Sequence, residues 1–136
     1  MNDDVFLNKD LFELVLITVT VLSLKLIKMN TDYKFGEVHC IADQIETGSD
    51  KVHFKPIFSN ENCGVVLVAF KAGQKLDTHV APAELMVNVL EGDIKFTVLD
   101  KHHTLKAGEF MLVGAEVAHS VLAKADSKMM LVKVKP

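Results

Sequence analysis

The sequence contains no arginine. All 15 basic residues are lysines, there are 18 acidic residues, and the formal net charge is −3. A guanidinium group is the usual side chain for binding phosphate or carboxylate through two hydrogen bonds, and nucleic-acid-binding proteins carry a basic stripe, which is not visible here. The composition therefore excludes a nucleic acid as a partner.

Cysteine is also scarce, with Cys40 and Cys63 as the two thiols of the chain. No CxxC pair or Cys/His spacing accompanies them, so neither a zinc site nor a disulfide framework is predicted. Isolated thiols suit a reduced interior as small core residues, and we expect a cytoplasmic protein.

The chain has 136 residues, of which 49% are apolar. This length fits one domain without a second core, and the apolar fraction excludes intrinsic disorder. We expect a single domain over residues 29–136, preceded by an apolar extension over residues 1–28.

The longest uncharged run, LVLITVTVLSL at residues 14–24, lies within this extension. It is shorter than the ~20 apolar residues that span a bilayer, and acidic residues precede it, unlike a signal peptide. Its Val, Ile and Thr content favours a strand over a helix. Three interpretations remain: a strand or short helix packed on the domain, a segment read from an upstream start with Met29 as the working start, and, least favoured, a membrane anchor through residues 14–27.

From residue 50 onward, short apolar segments alternate with turns. Ile94, Phe96 and Val98 alternate with polar residues, and Glu91-Gly92 is predicted to be a tight reversal between two paired antiparallel strands. This pattern predicts an all-β sandwich or barrel. The predicted strands cover residues 51–58, 64–70, 76–80, 84–90, 93–99, 110–113, 119–124 and 128–135.

Glycine and histidine recur at defined spacings within this pattern. Gly73 is followed by His79 and closed by Gly92, and Gly108 is followed by His119. These spacings resemble the two sequence motifs of the cupin family over roughly residues 55–135. The resemblance implies a double-stranded β-barrel (a jelly roll) that forms a homodimer by packing or exchanging edge strands.

The same motifs usually supply two further metal ligands, which are missing here. Ala81 stands at the position of the second histidine and Leu85 at that of the glutamate. His79 and His119 alone make a weak site for Fe, Mn, Ni or Zn, or hold no metal. Asp77 is a third candidate ligand, because alternate residues of a strand share a face with His79.

The resemblance implies a pocket at the barrel mouth with His79 and His119 as its polar groups. A pocket that is mostly apolar with a few polar groups is typical of a small-molecule site, which is the leading hypothesis. The alternatives are a metal-dependent oxygenase or isomerase, and a non-catalytic accessory or regulatory module with a filled barrel. We expect Phe70, Phe96 and Phe110 to be core residues. The predicted apolar lining of the pocket is Leu85, Val87, Val89, Phe96 and Val121.

Overall fold

The computed structural model describes residues 11–18 and 29–136. Within them a short 3-10 helix, Ile41–Gln44, precedes nine strands. The strands are β1 (His53–Ser59), β2 (Cys63–Phe70), β3 (Lys75–His79), β4 (Glu84–Glu91), β5 (Asp93–Val98), β6 (Lys101–Lys106), β7 (Phe110–Val113), β8 (His119–Ala123) and β9 (Ser127–Val134).

The strands form two antiparallel sheets. One has five strands in the order β1-β2-β9-β4-β7, and the other has four in the order β3-β8-β5-β6. Neighbours in each sheet are mostly distant in sequence, as β2–β9 and β5–β8 are, which is the jelly-roll arrangement. The all-β, double-stranded β-barrel prediction is confirmed.

The core lies between the two sheets, toward which strands such as β4 and β5 direct every second residue, an apolar one. Phe70 and Phe96 are fully buried there, as predicted. Phe110 is 59% exposed, so its assignment to the core was wrong. The reason is the phase of edge strand β7, whose inward positions are Met111 and Val113.

Glu91-Gly92 does not connect two paired strands, contrary to the prediction. Strand β4 belongs to the five-stranded sheet and β5 to the four-stranded sheet, so the chain crosses between sheets at this point. Gly92 has a φ of +92°, and a Cβ there would collide with the side chain of Ser127 and the carbonyl oxygen of Asp126. Glycine is required by this close approach as well as by its backbone conformation.

Strand β6 was not predicted from the sequence. Its residues, KHHTLK, lack apolar alternation, and Leu105 is its single buried side chain. Because β6 is an edge strand paired with β5 alone, one inward apolar residue is sufficient to hold it.

Residues 11–18 are helical, so the strand interpretation was wrong for this part of the run. The hydroxyl of Thr18 donates to the carbonyl oxygen of Leu14 at 2.8 Å, a contact typical of a helix. Strand propensity depends on a neighbouring strand, and these side chains are all exposed. Residues 1–10 and 19–28 lie outside the described residues. No helix within 11–18 or 29–136 is long and apolar enough to cross a bilayer.

The outer face of the five-stranded sheet is covered in part by the segment before β1. Ile45 packs against Leu67 and Ala69, which are fully buried on that face. Toward the β7 edge the same face is open, and Phe110 and Leu112 are 59% and 71% exposed. The sheet therefore has one covered and one uncovered apolar region on its outside.

Candidate functional site

A cavity of about 440 Å³ opens at one end of the barrel, between the two sheets. Five of the seven pocket residues predicted from the sequence line it. Val87 and Val89 do not, because they lie deeper along β4, where the sheets close and leave them 0% and 1% exposed. The lining consists of Phe54, Leu76, Asp77, His79, Val80, Ala81, Pro82, Leu85, Phe96, His119, Val121, Met129, Leu131 and Lys133.

Two histidines supply the polar side of this cavity. His79 ends β3, His119 begins β8, and the two residues are directly paired across the strands. Their ring centroids are 4.3 Å apart with the planes at 62°. The ring of His119 also stacks on Phe96, with centroids 5.6 Å apart and an angle of 11°. The pair is held by strand register on one side and by an aromatic contact on the other.

Backbone carbonyls orient both imidazole rings. Nδ1 of His79 lies 2.7 Å from the carbonyl oxygen of Asp77, and Nδ1 of His119 lies 2.9 Å from that of Val117. Because a carbonyl oxygen only accepts, each Nδ1 carries the proton and donates it. In the described part of the chain neither Nε2 has a hydrogen-bond partner. In its neutral form each ring therefore has a free lone pair at Nε2.

Burial keeps His119 neutral. The residue is 4% exposed, and this desolvation lowers its pKa below the ordinary value of 6.5. The hydrogen bond to Val117 raises the pKa and the charge of His79 lowers it, both by less than the burial effect. At neutral pH the Nε2 of His119 is thus a hydrogen-bond acceptor or a metal ligand, and not a donor.

The comparison with protein families agrees with this architecture. The family model described as "Cupin domain" matches residues 66–135, which include both histidines. The chain belongs to the cupin family. A comparison with curated proteins finds no match.

Solved structures support the same fold for this cupin. A conserved protein of unknown function from Streptococcus pyogenes is 21% identical, with a TM-score of 0.72 over 81% of this chain and 94% of that one. A cupin superfamily protein from Desulfitobacterium hafniense is 18% identical, with a TM-score of 0.71 over 81% and 98%. A Cupin 2 conserved barrel domain protein from Leptotrichia buccalis is 32% identical, with a TM-score of 0.67 over 70% of this chain and 46% of that one.

The residues of this cupin do not complete the metal site that its family motif implies. Ala81 and Leu85 contribute hydrocarbon to the cavity wall where the motif has histidine and glutamate. Among residues 11–18 and 29–136, no three or more His, Cys, Asp or Glu side chains are grouped as a metal would require. Two imidazoles remain, which is a weak donor set for a divalent ion.

Asp77, the third candidate ligand, lines the cavity but forms no metal-binding group with the two histidines in the described part of the chain. Its carboxylate is exposed and forms an ion pair with Lys75 at 3.2 Å. The physical reason is an irregularity of β3 between Leu76 and His79, which breaks the simple alternation of faces. The shared face inferred from sequence spacing therefore does not hold at this point.

The sequence reasoning missed one charged residue of the cavity, Lys133 on β9. A signal for it was available, since Met129, Leu131 and Lys133 occupy alternate positions of one strand. Which of the two faces points inward could be decided only from the pairing of β9 between β2 and β4.

Proposed function

We propose that this cupin binds a small, mostly apolar molecule in the barrel cavity, and that His79 and His119 orient it through their Nε2 atoms. The observation that carries the proposal is the fixed histidine pair at the wall of an otherwise apolar cavity. Both rings are held by backbone carbonyls, so each presents the same nitrogen for binding.

The volume and chemistry of the cavity suit a small-molecule ligand. At about 440 Å³ it falls within the range of ligand pockets, roughly 300–1,000 Å³. Leu85, Phe96 and Val121 offer apolar contact, while the neutral imidazole of His119 accepts a hydrogen bond. The ligand is therefore expected to carry a hydroxyl or N–H group on an apolar body.

A metal-dependent oxygenase or isomerase is the second candidate. It is favoured by the orientation of the imidazoles, because metal-binding histidines usually donate their other ring nitrogen to a carbonyl or carboxylate. Fe, Mn, Ni or Zn would be held by His79 and His119, and would need additional donors from the ligand or from water. We place this candidate second because Ala81 and Leu85 replace the other two ligands of the motif.

An accessory or regulatory module is less well supported. That hypothesis requires a barrel filled by its own side chains, whereas the cavity here is open and of ligand size. Binding of a protein partner on the outer surface would also not explain the arrangement of His79 and His119.

Binding is tested by amide NMR spectra of the full chain with a library of small apolar alcohols, phenols and amides. We expect chemical-shift changes on β3, β5 and β8, and weaker binding in His79→Leu, which removes one Nε2 from an exposed position. His102→Leu is the matched control, because His102 is exposed and lies outside the cavity lining. Shift changes elsewhere, or equal binding to both variants, would count against the proposal.

Elemental analysis of the purified protein separates the two candidates. Stoichiometric Fe, Mn, Ni or Zn that disappears in His79→Ala would favour the oxygenase or isomerase. We expect no retained metal in the wild type. The double variant Ala81→His with Leu85→Glu restores the ligand types of the motif and should bind metal, which serves as the positive control.

We also propose that the protein acts in the cytoplasm as a homodimer. The free thiols of Cys40 and Cys63 support a reducing location. The uncovered apolar region at the β7 edge, with Phe110 and Leu112 exposed, supports self-association through the five-stranded sheet.

A further inference from the structure

Lys133 occupies an inward-facing position at the mouth of the cavity. Met129 and Leu131, on the same face of β9, form part of the cavity wall. Lys133 continues this face by one step and is exposed. Its aliphatic stem therefore covers the wall while its ammonium group reaches the water at the opening.

The charge of Lys133 has no partner in the described structure. Its cross-strand neighbours are Leu85 on β4 and Gly64 on β2, and neither has a polar side chain. The ion pairs found within residues 11–18 and 29–136 do not include Lys133. The carboxylate of the cavity lining, that of Asp77, is already paired with Lys75.

The cross-strand neighbour of Lys133 on β4 is Leu85, and this pairing bears on which ligand charge the cavity favours. Leu85 stands where the family motif has its glutamate, so the wall that usually attracts a cation carries hydrocarbon here. Directly across from it lies a lysine. A cation entering the cavity meets the like charge of Lys133 and one carboxylate, that of Asp77, which is already paired with Lys75. An anion meets an unpaired opposite charge.

We propose that Lys133 makes the cavity selective for small organic anions, and that the ligands are carboxylic acids with an apolar body and a hydroxyl or N–H group. This inference rests on the proposed binding function and names its ligand class. The carboxylate contacts the ammonium group at the mouth, the body packs on Leu85 and Leu131, and the hydroxyl or N–H group donates to Nε2 of His119.

A carboxylate fits this site better than a phosphate. The chain has no arginine, and a single ammonium is one point charge without the planar pair of donors that phosphate binding commonly uses. Among the described residues, Lys133 is the one lysine of this cavity lining, while Lys135 lines an adjoining surface pocket together with Glu61. One negative charge on the ligand is therefore matched by one positive charge of the protein.

The test compares acids with their own primary amides, which have nearly the same shape without the charge. The first pair is para-hydroxyphenylacetate and para-hydroxyphenylacetamide. Each compound is titrated into the full chain, and its binding is followed by amide NMR. Wild type should bind the acid roughly two- to fivefold more tightly, as for an exposed charge pair. Added salt should weaken the binding of the acid and leave the binding of the amide unchanged.

Lys133→Met keeps the aliphatic stem and removes the charge, so the acid-to-amide ratio should fall to about one. Lys101→Met is the control for net charge, since Lys101 is exposed on β6 outside the cavity lining, and should retain the preference. Equal binding of acid and amide to the wild type, or a preference that survives in Lys133→Met, overturns the role of Lys133 and leaves the proposed function standing. If neither member of any pair affects cavity residues, the proposed function fails and this inference fails with it.

Discussion

Lowering the pH should destabilise the fold through His119. Burial lowers the pKa of this imidazole in the folded protein, while in the unfolded chain it returns to the ordinary value of 6.5. Between the two values the unfolded chain binds a proton that the folded chain does not. The free energy of unfolding therefore falls as the pH drops through this window, and it is level again below the folded-state pKa.

The size of the effect follows from the linkage of one proton. The free energy of unfolding changes by at most about 1.4 kcal/mol per pH unit within the window. Between about pH 7 and pH 5 the total loss from one site is at most about 2 kcal/mol, the limit for an imidazole that takes up its proton only when unfolded. This limit is a large share of the stability of a small domain.

Urea unfolding of the wild type and of His119→Asn at several pH values measures the effect. Asparagine still offers an N–H group to the carbonyl oxygen of Val117 but does not titrate in this range. The stability of the variant should decline less between pH 7 and pH 5 than that of the wild type. His102→Asn, at an exposed position, should leave the wild-type decline intact. Equal declines in wild type and His119→Asn would refute the reasoning.

Three further predictions concern packing and assembly. Phe96→Ala should lower the free energy of unfolding by roughly 3–5 kcal/mol because the ring is fully buried, and Phe110→Ala by about 1 kcal/mol or less; equal losses in urea unfolding would contradict the assigned core. Gly92→Ala should lower the melting temperature more than Gly73→Ala, since both glycines have positive φ but only Gly92 has atoms in the space of a Cβ; equal effects would contradict that close approach. Analytical ultracentrifugation should find a homodimer that Leu112→Lys converts to monomer, because Leu112 is 71% exposed on the uncovered face; a wild-type monomer at all concentrations would refute the dimer.

The strands that were predictable from the sequence have a strong local signal. Residues 93–99 alternate in polarity and residues 64–70 are continuously apolar, and both appear as strands with nearly these bounds. Strand β6 lacks such a signal, because its place depends on pairing with β5 and not on its own side chains. The course of the chain at Gly92 was misjudged for a similar reason, since a glycine turn does not indicate whether the next strand joins the same sheet.

The candidate site was predictable to a similar extent. The resemblance to the cupin motifs identified His79 and His119, and the structure brings them into direct cross-strand pairing. The depth of Val87 and the position of Lys133 could not be predicted from the sequence. Alternation assigns a residue to a face of its strand, but it does not indicate how far along the barrel the residue lies or which face is the inner one.

The strand pattern of the sequence determined an all-β sandwich or barrel. Its resemblance to the cupin motifs determined the two histidine positions and the loss of the other two motif ligands at Ala81 and Leu85, because motifs are recognised by spacing and residue type along the chain. Tertiary structure alone decided that the imidazoles meet at 4.3 Å, that burial keeps one of them neutral, and that Lys133 lies across from Leu85. These features arise from strands distant in sequence, whose register is set by packing the whole barrel. The metal motif is thus recognisable along the chain, while the chemistry of the cavity is recognisable only in the fold.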